Sequence, residues 1–176
     1  SNLCQKYKAN LIVDEAHAVG VVGKSGEGLV AKLNLQKEVF ATVVTFGKAL
    51  GSHGAIVLGS EVLRNYLINY CRSFIYTTAP SPETIQTIRQ QYKKLTGLYD
   101  SGSLEHNMAL DLKNYFIAQV GVSRKLITGP YGNVVSVIIP GSENVRKVSN
   151  ALKKNGLYVK EILPPTVPKG AERLSV

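Results

Sequence analysis

The sequence predicts an α/β fold in which short buried strands alternate with amphipathic helices. Two observations carry this. Residues 11–13 of NLIVDEAH and the run ATVVTF at 41–46 are continuous apolar stretches of strand length, as parallel strands covered on both faces require. The segments SEVLRNYLINYCR and SPETIQTIRQQYKKL place apolar residues at helical spacing behind a serine cap. Strands alternating with such helices build a sheet with helices packed on it.

The elements follow in order. NLIVDEAH is a strand that leaves Asp14 and His17 at its C-terminal end, where open α/β sheets place their ligand sites. GVVGKSGEG is too glycine-rich for a helix and reads as a loop. ATVVTF ends in FGKALGSHG, and GAIVLGS is a third strand. The helix after it sets Val62, Leu63, Tyr66, Leu67 and Tyr70 at helical spacing. SFIYTT reads as a short strand, and SPE opens a helix with a Ser cap, a Pro at the first position and an acid behind it. GLYDSGS is polar and turn-rich, so the border between two units falls there, with 1–98 before it and 99–176 after. Beyond it come a helix over LEHNMALDLKNYFIAQVG, a strand over NVVSVIIPG, a helix over SENVRKVSNALKKNG closed by Gly156, a strand over LYVKEIL, and RLSV as a last strand cut short.

Composition narrows the function classes. The 176 residues are 44% hydrophobic and 19% charged, enough for a core in one large domain or two small ones. No apolar run approaches the roughly 20 residues of a membrane span. The polar start SNLCQKYKAN shows no secretory signal and reads as the interior of a longer chain or as a plain N-terminus. Cys4 and Cys71 are far apart and outside any CxxC spacing, so neither a disulfide framework nor a metal site is expected, and the compartment is the reducing cytoplasm. The net charge of +9 would attract nucleic acid, coenzyme A phosphates or an acidic carrier protein. The lysines are spread along KLNLQK, YKKL and LKKN, however, and solvated helix faces account for them. No nucleic-acid or membrane partner is therefore expected.

Two constellations carry chemistry. VDEAH spells a helicase acidic box, and 18–25 (AVGVVGKS) fits a relaxed phosphate loop. A working phosphate loop lies well before the acidic strand and joins a strand to a helix, whereas here it runs on from the acids into a glycine-rich loop. The second constellation is Asp14, His17, Thr45 and Lys48, at the C-terminal ends of two buried strands. Neighbouring strands would bring them into one crevice. Pyridoxal phosphate chemistry needs these types: a neutral lysine amine, a carboxylate for the pyridine nitrogen, and hydroxyls for the phosphate. Each also has an ordinary explanation, since an Asp can cap a loop, a Lys can be solvated and a His can be structural.

VDEAHAVGVVGKSGEG, VVTFGKALGSHGA, SFIYTTAPSP and PPTVPKGAERL, in this order, resemble the α-oxoamine synthase family. The resemblance implies a fold-type I pyridoxal-phosphate transferase. The chain would cover the later part of its large, mainly parallel-sheet domain and its smaller C-terminal α/β domain. It implies decarboxylative condensation of an amino acid with an acyl thioester, most like the member of biotin biosynthesis that joins L-alanine to a pimeloyl thioester. By the same resemblance Asp14 pairs with the pyridine nitrogen, and His17 contacts the ring oxygen and handles protons. Thr45 binds phosphate, and Lys48 is the Schiff-base lysine and proton-transfer base. Tyr76, Thr77 and Thr78 match a stretch that reaches the partner's cofactor across a homodimer interface. The family usually ends this region in Arg-Leu-Arg, whose second arginine grips the substrate carboxylate. Here it reads Arg173-Leu174-Ser175, which leaves Arg173 as the candidate for that contact. Other members, such as glycine C-acetyltransferase, 5-aminolevulinate synthase or serine palmitoyltransferase, stay open as alternatives, as does a DEAH-type ATPase.

Overall fold

The computed structural model describes residues 1–100, 104–120, 127–128 and 133–176. The chain forms two compact units, Ser1–Leu104 and Glu105–Val176.

In the first unit, α1 (Asn2–Lys6) leads into β1 (Ile12–Asp14), followed by α2 (Leu29–Lys32), β2 (Ala41–Thr45) and β3 (Ala55–Gly59). The sheet order is β1-β2-β3. β1 runs parallel to β2 with Asp14 opposite Val43, and β3 runs antiparallel to β2 with Ala55 opposite Thr45. The sheet is therefore mixed. Coverage on both faces was expected for the first two strands, and β2 alone comes near it, with Ala41 and Val44 buried. β1 and β3 are outer strands of this sheet; Ile12 is 61% exposed and β3 is exposed throughout.

Two helices complete this unit. α3 (Glu61–Tyr70) starts where the Ser60 hydroxyl accepts the Leu63 N–H at 3.2 Å. α4 (Pro82–Asp100) starts where Ser81 Oγ accepts from Thr84 N at 3.3 Å. Hydrogen bonds from its own N–H and the Ser81 hydroxyl hold the Glu83 carboxyl below its usual range. The core is Val44, Phe46 and Leu50, with Val19 from the first loop and Ile88 and Leu95 from α4 packed on it. Tyr92 meets Phe46 edge-on at 6.4 Å between centroids, and burial pushes its hydroxyl pKa up.

SFIYTT is not a strand. Phe74 N and Ile75 N both donate to Cys71 O, and Thr77 N donates to Phe74 O. These local bonds continue the end of α3 as turns, and Tyr76 takes a left-handed φ of 60°. The N–H groups of Phe74, Ile75 and Thr77 thus find acceptors three or four residues back, which overrides the β propensity of Phe74, Ile75 and Tyr76.

Next comes α5 (Leu104–Gln119), then β4 (Ile127–Thr128), β5 (Ser136–Ile138), α6 (Ser142–Lys154), β6 (Lys160–Ile162) and β7 (Arg173–Ser175). Of the turn expected over 97–103, residues 97–100 instead continue α4, and 101–103 lie outside the described residues. The strand order in the second unit is β4-β5-β7-β6, all antiparallel. RLSV is thus a strand, and it runs through the interior of the sheet. Leu174 and Val137 sit opposite each other and are buried, as is Val145 of α6. α6 carries Glu143 in its first turn and Lys153 and Lys154 in its last, each complementing the helix dipole. Gly156 follows at φ 80°.

Glu172 holds this unit's corner. Its side chain is 3% exposed. Oε2 accepts from Gly141 N and Gly170 N, both at 2.9 Å, and Oε1 from Ser142 Oγ at 3.5 Å. One carboxylate thereby joins the start of α6 to the loop that feeds β7. The Gly141 N–H, with its own and that of Gly170, holds the carboxyl below its usual range.

Candidate active site

Strand geometry sorts the candidate residues by face. Partners across a register share a face and successive residues alternate. Asp14, opposite Val43, therefore shares a face with Thr45 two residues further along β2. Glu15, Thr42 and Val44 point the other way, and these line a cavity of about 740 Å³ on that face.

Asp14 is exposed and oriented: its Oδ1 accepts from Ala16 N at 2.8 Å. The Thr45 hydroxyl oxygen is buried and has no hydrogen-bond partner among the described residues. From Phe46 the chain turns through a loop that returns to β3. Ser52 N donates to Phe46 O at 2.8 Å, Phe46 N to Gly54 O at 2.9 Å, and Gly51 N to Lys48 O at 2.9 Å. This loop carries Lys48 and His53 at the C-terminal end of β2. Both side chains are exposed, so the packing of this unit does not itself desolvate Lys48.

The loops after β1 and β2 touch. Gly20 has φ 81°, and a Cβ built on it would lie 2.6 Å from the Ala49 Cβ. Only a glycine lets the His17 loop approach the Lys48 loop so closely. Val19 packs on Phe46 and Leu50 beside this contact. Asp14, His17, Thr45 and Lys48 thus lie on two adjacent strand ends and two loops in contact.

Thr77 and Thr78 are exposed in the turn after α3. The Thr77 hydroxyl donates to Ser73 O at 3.3 Å, and among the described residues no hydrogen bond joins either threonine to Asp14, Thr45 or Lys48. Arg173 belongs to the second unit, half-buried, with Nε donating to Ala171 O at 3.0 Å. Ser175 and Arg173 lie on one face of β7, with Leu174 on the other.

Sequence reasoning weighed Glu15 only as a helicase acid. It is 2% exposed, and its Oε1 accepts from Val30 N at 2.6 Å and its Oε2 from Leu29 N at 2.9 Å. The start of α2 occupies both oxygens, so no acid remains at this position to hold magnesium. The 18–25 stretch forms turns rather than a strand-to-helix phosphate loop. The signal in the sequence was an acid directly after β1 at the head of a glycine-rich loop, and the structure shows Glu15 buried there. Its partners lie 14 and 15 residues away, beyond local pattern.

The aminotransferase class I and II family matches residues 1–176, and the chain belongs to that family. It is 34% identical over 174 residues to the 8-amino-7-oxononanoate synthase of Lysinibacillus sphaericus, covering 99% of this chain and 44% of that protein. The chain therefore spans less than half the length of this curated relative. Among solved structures, the Sphingomonas wittichii serine palmitoyltransferase superposes with a TM-score of 0.80 at 22% identity, over 99% of this chain and 43% of that one. The 8-amino-7-oxononanoate synthase of Francisella tularensis gives 0.74 at 26% identity, over 98% and 51%. The fold is that of these fold-type I transferases, as the sequence predicted. Among the described residues no helix is long and apolar enough to cross a membrane.

Proposed function

We propose that this chain forms part of a pyridoxal-phosphate acyltransferase. It condenses L-alanine with a pimeloyl thioester, releases the carrier thiol and carbon dioxide, and yields 8-amino-7-oxononanoate for biotin synthesis. The observation that carries the reading is the placement of Asp14 and the unpartnered Thr45 hydroxyl on one face of adjacent parallel strands, beside the Lys48 loop. Family membership and the names of the curated relatives support it.

The residues present fit pyridoxal phosphate. A buried hydroxyl without a partner is costly, and a phosphate oxygen would accept its proton. An exposed carboxylate fixed through one oxygen suits a protonated pyridine nitrogen. When bound, the cofactor supplies an electron sink for the carbanion left at the substrate α-carbon. Asp14 would keep the ring nitrogen charged. Thr45 would hold the phosphate end. Lys48 would join the cofactor aldehyde covalently, then take the α-proton and later return one. His17, on the loop touching that of Lys48, would hold a proton near the ring oxygen. Arg173 would bind the amino-acid carboxylate. Thr77 and Thr78 would serve the cofactor of a second subunit in a cytoplasmic homodimer.

Lys48→Ala in the purified holoenzyme tests this. It should abolish turnover and the borohydride-reducible visible chromophore, and a reducible chromophore surviving that change refutes the assignment. The likeness to serine palmitoyltransferase supports a second reading, another α-oxoamine synthase. Product analysis with alanine, glycine and serine against several acyl thioesters separates the two.

A further inference from the structure

We infer that Glu15 is the positioning residue for Asp14 and His17, acting from the face of the sheet that the cofactor does not touch. The inference rests on the functional reading above. It begins from the number of elements that meet at this residue. The Glu15 N–H donates to Val43 O on β2 at 2.8 Å. Its carbonyl accepts from Ala18 N at 2.8 Å and Val19 N at 3.1 Å, which closes the turn carrying His17. Its carboxylate takes the N–H groups of Leu29 and Val30. One residue thereby joins β1, β2, the His17 turn and α2.

The side chain must be a glutamate. Each oxygen receives one backbone N–H, so both must be acceptors; the amide of a glutamine would set a donor against a donor. A four-residue helix such as α2 does not hold itself. The carboxylate is what returns the chain after the 16–28 loop to the sheet. Gly28 fits the same purpose: at φ 94°, a Cβ there would stand 2.7 Å from Glu15 Oε2. Asp14, the preceding residue, points to the opposite face and receives no support from Glu15 except through the backbone. Glu15 is thus placed to set where Asp14 and His17 stand without touching the cofactor.

The test is Glu15→Gln in the purified holoenzyme, with pyridoxal phosphate titrated onto the apoprotein and followed by absorption. Residues that orient the ligands of a metal typically change its affinity by about 10–100-fold, and the same scale applies to a residue that orients a cofactor's partners. Glu15→Gln should weaken cofactor affinity by that factor and move the pH midpoint of the visible band. Amide exchange should show lost protection at Leu29 and Val30 with β2 still protected. If those amides loosen while affinity and midpoint stay at wild-type values, Glu15 is scaffold only and the inference fails. Should Glu15→Gln not fold, Gly28→Ala disturbs the same contact from the other side and must produce the same two shifts; wild-type values there overturn the inference. A wild-type protein that binds no pyridoxal phosphate is a different result, and it refutes the functional reading itself.

Discussion

Replacing Thr45 with valine should change the apoprotein and the holoenzyme in opposite directions. Valine keeps the shape and removes the buried, unpartnered hydroxyl. Leaving such a group unsatisfied costs about 1–3 kcal/mol. A methyl in its place adds about 0.8 kcal/mol of apolar burial. The apoprotein should gain about 2–4 kcal/mol, a rise in Tm of about 4–16 °C at this chain length. In the holoenzyme the hydroxyl would donate to a charged phosphate, a bond contributing about 1.5–3 kcal/mol. Its loss should weaken pyridoxal phosphate about 10–100-fold. Thermal melting of the apoprotein and an absorption titration read the two effects. A destabilised Thr45→Val apoprotein, or one that binds the cofactor with unchanged affinity, would refute the account of Thr45 as an unsatisfied phosphate donor.

Further outcomes follow from other contacts. Gly20→Ala combines a left-handed φ with a 2.6 Å approach to the Ala49 Cβ, so it should destabilise by about 1–2 kcal/mol or more. It should also weaken cofactor binding by parting the two loops; Ala49→Gly in the same protein should restore part of both, which melting and titration check. The Glu172 carboxyl has its pKa lowered on folding, so its contribution is complete above the unfolded value of about 4.3 and is lost as pH falls through the folded one. Melting of the second unit should therefore weaken in acid below about pH 5, and Glu172→Gln should flatten that dependence. An unchanged acid profile in that variant would show that the Gly141 and Gly170 contacts do not set it.

The elements that could be read in advance are those whose reasons are local. α3, α4 and α6 have their periodicity and acidic first turns within one segment, and α3 and α4 also have a serine cap there. β2 and β3 are apolar runs bounded by glycine or polar loops. α2 was not legible, because the group that secures it is the Glu15 carboxylate from another part of the chain. α1 is a five-residue turn without a side-chain cap. SFIYTT failed because composition reports β propensity and not where the N–H groups find acceptors. Within the site, the residue types and strand ends of Asp14, Thr45 and Lys48 were visible. Their register, the Gly20–Ala49 contact and the unpartnered Thr45 oxygen belong to pairing between segments.

The place of β7 has a consequence for how the molecule is made. β5 and β6 both pair with it and not with each other. During synthesis they emerge with open edges and remain so until residues 173–175 have left the ribosome. The pairing that closes the sheet joins Ser175 to Ser136, 39 residues earlier (175 minus 136). Local pairing can guide a hairpin early, but this sheet waits on a long loop, and long loops slow folding. Until then the exposed edges are open to pairing with other chains. The second unit should therefore be the later and more aggregation-exposed of the two to form.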